Sequence, residues 1–333
     1  MTDASCVIVT GGSGYVGGHI CKALSYAGYL PINIDRQETA WSSKWGPFYK
    51  TDFTKLTEVN DVCKSYRREK YNVVAVIHCA ANSLVGPSVS DPKLYYDNNV
   101  ISTIHFLNLL LDQDINNFVF SSSSSVYGEQ EIVPINEDAV LNPLTSYGRS
   151  KQMIEGVLQD YNVAYDFRSI SLRYFNACGA DLESEVGQVK DATHVIARVL
   201  ESIINNDTFT LFGTDYDTED GTCVRDYTHV WDLALAHVKA VDYLVNGGQT
   251  EIINLGAGQG QSVQDIVDEV LNVVERLPDI KYGARREGDP TKVIADIFKA
   301  KHILDWVPEH SDLNTIIDTA WKWYNSETYL RSN

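Results

Sequence analysis

Short apolar runs without polar alternation recur through the first half of the chain, at residues 6–10, 31–35, 73–78, 117–121 and 169–174. Runs of that kind predict strands covered on both faces, as in a parallel sheet. Between them, residues 19–27, 56–69, 94–112 and 147–161 carry helical spacing. Strand and helix in rotation predict an α/β fold with a doubly wound parallel sheet. Beyond Asn176 the rhythm loosens into a polar loop at 180–188, a helix at 194–204 and a turn-rich segment at 209–225. A strand at 251–255, a helix at 263–274, a charged loop at 285–289 and a closing helix at 316–324 follow. This predicts a first α/β domain over 1–176 with returning segments near 226–256, and a smaller α/β C-terminal domain over 177–333.

Composition narrows the class. Lys and Arg total 27 against 45 Asp and Glu, a formal net charge of −18. That balance supplies no basic stripe for nucleic acid and repels an anionic membrane surface. It does not exclude a phosphorylated metabolite, whose pocket is set by local groups. Hydrophobic residues make up 44% of the 333, so real cores can form and a disordered chain is excluded. No run reaches the roughly 18 apolar residues of a membrane span, and no secretory signal is readable at the start. Cys6, Cys21, Cys63, Cys79, Cys178 and Cys223 show neither a close pair nor a zinc spacing. They read as reduced thiols of a cytoplasmic protein with no metal site.

Gly11, Gly14 and Gly17 stand where the first strand ends and the first helix begins. Glycine there lets the backbone turn sharply and approach a pyrophosphate, which then sits on the helix N-terminus, the Rossmann-type arrangement. Asp35 closes the second strand, where a carboxylate accepts both hydroxyls of an adenosine ribose and repels a 2′-phosphate. Arg36 beside it leaves a phosphorylated cofactor as the alternative. Asp52 can accept from an adenine amino group, and Ala80-Ala81 leave room for a flat ring. NAD is the expected cofactor.

Tyr147 and Lys151 are four residues apart at the start of a predicted helix and share a face. A phenol is a poor base at neutral pH, and a neighbouring ammonium is expected to bring its pKa down. Upstream lies a hydroxyl-rich strand end, Ser121 to Ser125. The glycine pattern, the serines before Val126-Tyr127-Gly128, Tyr147/Lys151 and Arg173-Tyr-Phe-Asn-Ala177 resemble the extended short-chain dehydrogenase/reductase superfamily. Within it the chain is most similar to the UDP-glucose 4-epimerases, also called UDP-galactose 4-epimerases. The most specific stretches are residues 211–216, 220–230 and 285–289.

The resemblance implies a role for each residue. Ser123 hydrogen-bonds the sugar 4-hydroxyl, Tyr147 removes its proton while C4 passes a hydride to tightly bound NAD, and Lys151 grips the nicotinamide ribose. The 4-keto sugar then turns and takes the hydride back on its other face. Tyr15, Val16, Phe53, Asn99, Ser121 and Tyr174 join the cofactor contacts. Asn176, Arg225 and Arg286 hold the diphosphate, Phe212 packs on uracil, Asp289 holds a ribose hydroxyl, and His194 and Val293 line the substrate. The family also implies a homodimer through two helices per subunit, here 94–111 and 147–161, the first with a stripe at Ile104, Leu107 and Leu111. His78, His194 and His229 read as hydrogen-bonded structural residues rather than bases.

The chain departs from the family at Asn82-Ser83, where some members have a cofactor-contacting lysine, at Pro87, at His194 in place of an asparagine, and at Ala197 in place of a proline. Valine at position 293, a gatekeeper in the family, leaves UDP-N-acetylglucosamine/UDP-N-acetylgalactosamine and UDP-xylose/UDP-arabinose as alternative substrate pairs. Nucleotide-sugar dehydratases and decarboxylases place an acid where this chain has Ser124-Ser125. A catalytically silent NAD-binding scaffold would need the cleft but not Tyr147.

Overall fold

The computed structural model describes residues 5–189, 193–286 and 289–331. The chain forms two compact units, one of Met1–Gly128, Val140–Arg173 and Ala234–Ile253, the other of Glu129–Ala139, Tyr174–Leu233 and Asn254–Asn333.

The first unit is organised by β1 (Ser5–Thr10), β2 (Leu30–Asp35), β3 (Phe48–Lys50), β4 (Asn72–His78), β5 (Asn117–Ser123) and β6 (Arg168–Tyr174). With Glu251–Leu255 they make a seven-stranded sheet in the order Glu251–Leu255, β6, β5, β4, β1, β2, β3. The pairings from β3 through β2, β1 and β4 to β5 are all parallel. β1 is buried from Cys6 to Thr10, which explains why its sequence shows no polar alternation. The strand order reverses between β1 and β4, and ligands of open α/β sheets bind beyond the carboxyl ends at such a switch point. Behind those ends lies an aromatic core in which His78 meets Phe53 edge-on at 4.8 Å and Phe106 at 5.5 Å. Its imidazole is wedged between the hydroxyls of Thr10 (2.7 Å) and Thr103 (3.2 Å), and burial pushes its pKa down to about 3. It is a neutral structural histidine.

In the second unit, Asn176–Cys178 pairs in parallel with Tyr227–His229, and Thr208–Phe212 with Asp279–Gly283. Val224–Arg225 lies between Gln261–Ser262 and Lys292–Val293. The helix Val263–Val274 begins with a capping box between Ser262 and Asp265, and helices Val195–Asn205 and Leu313–Tyr324 pack near it. Asp226 is fully buried and accepts N–H bonds from Ala257 (2.6 Å), Gly258 (3.0 Å) and Ala295 (3.1 Å). It thereby ties the segment carrying Arg225 to two distant loops, and burial raises its pKa to about 6 against those bonds. His229 is also structural, with its ring nitrogens facing the Thr319 hydroxyl (3.0 Å) and the Trp231 N–H (3.1 Å).

The structure corrects several expected boundaries. The helix expected over 94–112 is three pieces, Pro92–Tyr96, a π-turn at Asp97–Ile101, and Ser102–Asp112. β5 runs to Ser123, so three of the serines are strand residues. The segment expected as turns from 209 opens with a strand, and Val230–Val245 is a helix that no expectation covered. Leu107 is fully buried, with Ile104 and Leu111 packed on the same core cluster. That stripe covers the first unit's own core and is not a free face for a partner.

Candidate functional site

The glycine turn follows from close packing. Gly11 has φ +76, and a Cβ on it would lie 2.8 Å from the Ala80 backbone nitrogen. A Cβ on Gly17 would lie 2.1 Å from the Gly11 carbonyl oxygen. Gly14 is the N-cap of helix Tyr15–Tyr26, and neither a side-chain cap nor an acidic residue occupies its first turn. The helix therefore presents N–H groups and the positive end of its dipole without a competing side chain, which suits a pyrophosphate. Asp35 reaches over this turn, its two oxygens accepting from the N–H of Ser13 (3.0 Å) and of Gln37 (2.9 Å). Each oxygen keeps a lone pair for a ribose hydroxyl. Ala80 and Ala81 follow β4, half-buried beside the turn. The residues of this edge fit a dinucleotide.

The outer residues of this edge are more varied. Tyr15 and Val16 are half-buried in the first helical turn, with the Tyr15 ring edge-on to His19 at 5.5 Å. Asp52 closes a turn by accepting from the N–H of Thr54 (3.0 Å). The Phe53 ring belongs to the core against His78 and Phe106, and its side chain is not open to a ligand. Asn99 sits on the π-turn, and its amide brackets Asn82, accepting from the Asn82 N–H (2.9 Å) and donating to the Asn82 carbonyl (3.0 Å). It also donates to Ser150 at 3.2 Å, which fixes the loop after β4 to the helix carrying Tyr147. The departure at Asn82 is thus a clamp made through backbone atoms.

Ser146–Tyr165 is that helix, capped by Thr145, whose hydroxyl accepts from the Gly148 N–H at 3.2 Å. A Cβ on Gly148 would come within 2.4 Å of the Ser125 carbonyl oxygen, so a glycine after Tyr147 lets the helix start close against the serine strand. Lys151 is 4% exposed and donates to the Ser121 carbonyl at 2.7 Å, with its Nζ 4.7 Å from the Phe120 ring centroid and 5.7 Å from that of Tyr147. Ser121 also donates to Cys79 at 3.1 Å. Ser123 is 9% exposed and donates to Ser125 at 3.1 Å, and its hydroxyl is near enough to the Tyr147 phenol to favour the ionised form.

The electrostatics differ from the expectation that Lys151 draws the phenol down. Burial pushes the Tyr147 pKa up to about 12, and the Ser123 hydroxyl is the group that works against it. The lysine points to a strand carbonyl, and burial lowers its own pKa to about 8 in spite of Cys79 and Glu155. The site stores a neutral phenol beside a weakly basic amine.

The second unit carries its own cluster. Arg225 is ion-paired with Asp289 and donates to the Val224 carbonyl at 2.8 Å. Tyr216 donates to Asp289 at 3.4 Å, and Arg285 lies over the Tyr216 ring at 4.2 Å while bonding Asp215 at 2.6 Å. Exposed Arg286 lies 4.5 Å over the ring of Phe212, itself 37% exposed. Three arginines and the open ring of Phe212 make a surface for a flat, anionic ligand, with the buried Tyr216 ring beneath Arg285. Val293 stands in register with Arg225, on the neighbouring strand. Asn176 is tied down, its amide donating to the Asp226 carbonyl at 2.9 Å. Tyr174 ends β6, half-buried. His194 is exposed at the start of helix Val195–Asn205 and lines a small cavity with Cys178, Gln188, Ala197, Trp323 and Tyr324. Glu287 and Gly288 of the 285–289 motif lie outside the described residues.

Comparison with known proteins decides the family. Residues 7–256 match the NAD dependent epimerase/dehydratase family. The chain belongs to that family. A UDP-glucose 4-epimerase of Rhizobium meliloti (strain 1021) is 42% identical over 323 residues, covering 96% of this chain and 97% of its own. The crystal structure of UDP-glucose 4-epimerase from Brucella ovis in complex with NAD has a TM-score of 0.91 at 40% identity, covering 96% of this chain and 98% of that one. The enzyme from Bifidobacterium longum, in complex with NAD+ and UDP, gives 0.86 at 30% identity, covering 97% and 99%.

For a member of the epimerase/dehydratase family, two sets of residues escaped the reading of the sequence. Tyr216 and Arg285 join the arginine cluster, a grouping signalled by their place in the same motifs as Phe212 and Arg286. Glu155, four residues past Lys151, continues the reactive face of the helix, and its spacing alone could have found it.

Proposed function

We propose that this chain interconverts UDP-glucose and UDP-galactose by reversible oxidation and reduction at sugar C4 on bound NAD. The observation that carries the reading is the meeting of Ser123, Tyr147 and Lys151 at the end of β5, in a unit whose glycine turn fits a dinucleotide. NAD held at that turn by Gly11, Gly14, Gly17 and Asp35 supplies a hydride acceptor and donor for C4 and, when oxidised, a positive charge that favours the phenolate.

The chain's own groups do the rest. Ser123 hydrogen-bonds the 4-hydroxyl and Tyr147 accepts its proton, then returns it once the ketone has been reduced from its other face. Lys151 holds positive charge on the phenol's side of the helix. Arg225 and Arg286 meet the diphosphate by charge-assisted bonds, with Phe212 against the uracil ring, Asp289 at the ribose, and Asn176 and His194 at the margins. Fixing base and ketone in one frame is the main gain over solution. We also infer a cytoplasmic homodimer that engages neither nucleic acid nor membrane. The charge of −18 and six free cysteines support the location and the absence of polyanionic partners, and the family resemblance supports the dimer.

The test is to give purified protein UDP-galactose, with and without added NAD, and follow the sugar nucleotides by proton NMR. UDP-glucose should accumulate to equilibrium. No conversion in either arm overturns the reading. UDP-N-acetylgalactosamine and UDP-arabinose run alongside measure the room left by Val293.

A further inference from the structure

Tyr147, Lys151 and Glu155 lie one helical turn apart on a single face of Ser146–Tyr165, and each meets a different residue of the serine strand. Tyr147 faces the Ser123 hydroxyl, and Lys151 donates to the Ser121 carbonyl at 2.7 Å. Glu155 accepts from the Ser122 hydroxyl at 2.6 Å. Ser122, whose side chain points away from the reacting side of β5, is fully buried, and Glu155 is 3% exposed. The third contact is braced from β6. Arg173, 1% exposed, donates to both oxygens of Glu155, Nε to Oε1 at 2.9 Å and Nη2 to Oε2 at 2.6 Å. Its remaining arm donates to the Tyr127 hydroxyl at 2.9 Å, just past the serine run.

A buried ion pair is an uneconomical way to stabilise a core, since apolar residues of equal volume do as well or better. What such a pair gives is a fixed geometry: a bidentate fork admits one orientation of the carboxylate. Here that carboxylate is the point where helix, β5 and β6 are joined. We propose that Glu155, locked by Arg173, is a positioning residue for the reaction, setting the register of the helix on β5 so that Tyr147 and Lys151 stand opposite Ser123 and Ser121. This rests on the 4-epimerase reading above.

Glu155 has a second effect that a purely structural residue would lack. Lys151 is faced by Cys79 from the end of β4, by His78 of the same strand, and by Tyr147 and Glu155 of its own helix. Neutral Cys79 and His78 give it no fixed countercharge, so the carboxylate that favours its charged form is Glu155, shared with Arg173. Removing that charge lowers the lysine pKa further below 8.

The experiment uses the full chain and two substitutions. Ser122→Ala breaks one rung and leaves every charge in place; kcat should fall about 10-fold with KM held within about 2-fold, because a displaced helix misaligns the reacting groups without touching the diphosphate clamp. Glu155→Gln keeps the shape and removes the charge; the Lys151 titration, read from its Cε resonance in 13C-lysine-labelled protein and assigned with Lys151→Met, should move down by about one unit, and the alkaline limb of kcat with it. If Glu155→Gln alone does not fold, Glu155→Gln with Arg173→Met removes the orphaned cation as well, and the same titration is read there. An unmoved Lys151 titration, or wild-type kcat in Ser122→Ala, overturns the proposal. A wild-type protein that converts no UDP-galactose overturns the parent reading instead, and the labelled-lysine titration still reports on Glu155.

Discussion

The reactive face of the first unit and the arginine cluster of the second are built on opposite principles. Around Tyr147 the side chains of Asn99, Ser122, Lys151 and Glu155 each have a buried partner, and the groups are held by helix, strand end and clamp together. Around Arg225 the charged partners are half-exposed or exposed, Asp289 for Arg225 itself and Asp215 for Arg285, and the Phe212 ring under Arg286 stays open to solvent. Reacting groups must be aligned before the substrate comes, because misalignment by an ångström costs rate directly. A cluster that grips charge only has to exchange one partner for another, and surface ion pairs are cheap to exchange.

The sharpest way to separate the two regions is to damage the reactive face without unfolding it. Tyr147→Phe removes one oxygen from a half-buried ring and should leave the thermal midpoint near wild type. Loss of a positioned proton acceptor should cut kcat by about 10³-fold, within the span of general acid–base catalysis. KM for UDP-galactose should hardly change. Steady-state kinetics with a calorimetric melt checks both, and an unimpaired kcat would show that another group carries the proton.

How much of this was legible follows the same division. The glycine turn, Asp35, and the Tyr147/Lys151 pair are local patterns: a strand end, a helix start and a four-residue spacing each declare themselves within a few residues. The helix Val230–Val245 was equally local, with Val230, Leu233, Ala234, Val238, Val241 and Leu244 buried at helical intervals, and attention to period would have found it. The strand Thr208–Phe212 was not, because its partner Asp279–Gly283 lies far along the chain and only the pairing makes it a strand. The direction of the Tyr147 shift was misjudged for a different reason: spacing puts an ammonium one turn away but says nothing of burial, and burial outweighs it.

On the binding side, Arg225→Met should act on KM. The guanidinium is 12% exposed, and charge-assisted bonds of its kind contribute about 1.5–3 kcal/mol. KM for UDP-galactose should therefore rise by about 10–100-fold while kcat stays within a few-fold. A fall in kcat of the size given by Tyr147→Phe, with KM unchanged, would erase the distinction between the two regions.

Stability against pH tests the distinction without substrate. Folding lowers the Lys151 pKa from 10.5 to about 8, so between those values the unfolded chain binds more protons than the folded one. Stability from this group rises as pH climbs from 8 to 10.5, and the cost of burying the ammonium is fully present below 8. Lys151→Met should remove that cost, gaining about 3 kcal/mol at pH 7 and little by pH 10.5. Urea midpoints of wild type and variant from pH 7 to 10 measure the difference, in which the other titrating groups cancel. Asp226 in the second unit runs the other way: its raised pKa gives stability that is complete below 3.8 and lost as pH rises through about 6. A difference curve for Lys151→Met that is flat would mean the lysine is solvated as it would be in the arginine cluster.

Phe212 carries the smallest effect and the clearest sign of an exchangeable surface. Its ring is 37% exposed and covered on one side by Arg286 at 4.5 Å, a contact worth about 0.5–1 kcal/mol where solvent has access. Phe212→Leu keeps apolar area on Thr208–Phe212 but loses the flat face that both the guanidinium and a base can lie on. The melting temperature should stay put, since the side chain is not core. KM for UDP-galactose should rise by about 2–5-fold, and UDP should weaken as an inhibitor by the same factor, if the ring meets the nucleotide end as proposed. Equal weakening of both places Phe212 at the base; a change in KM with inhibition by UDP intact would move it to the sugar end.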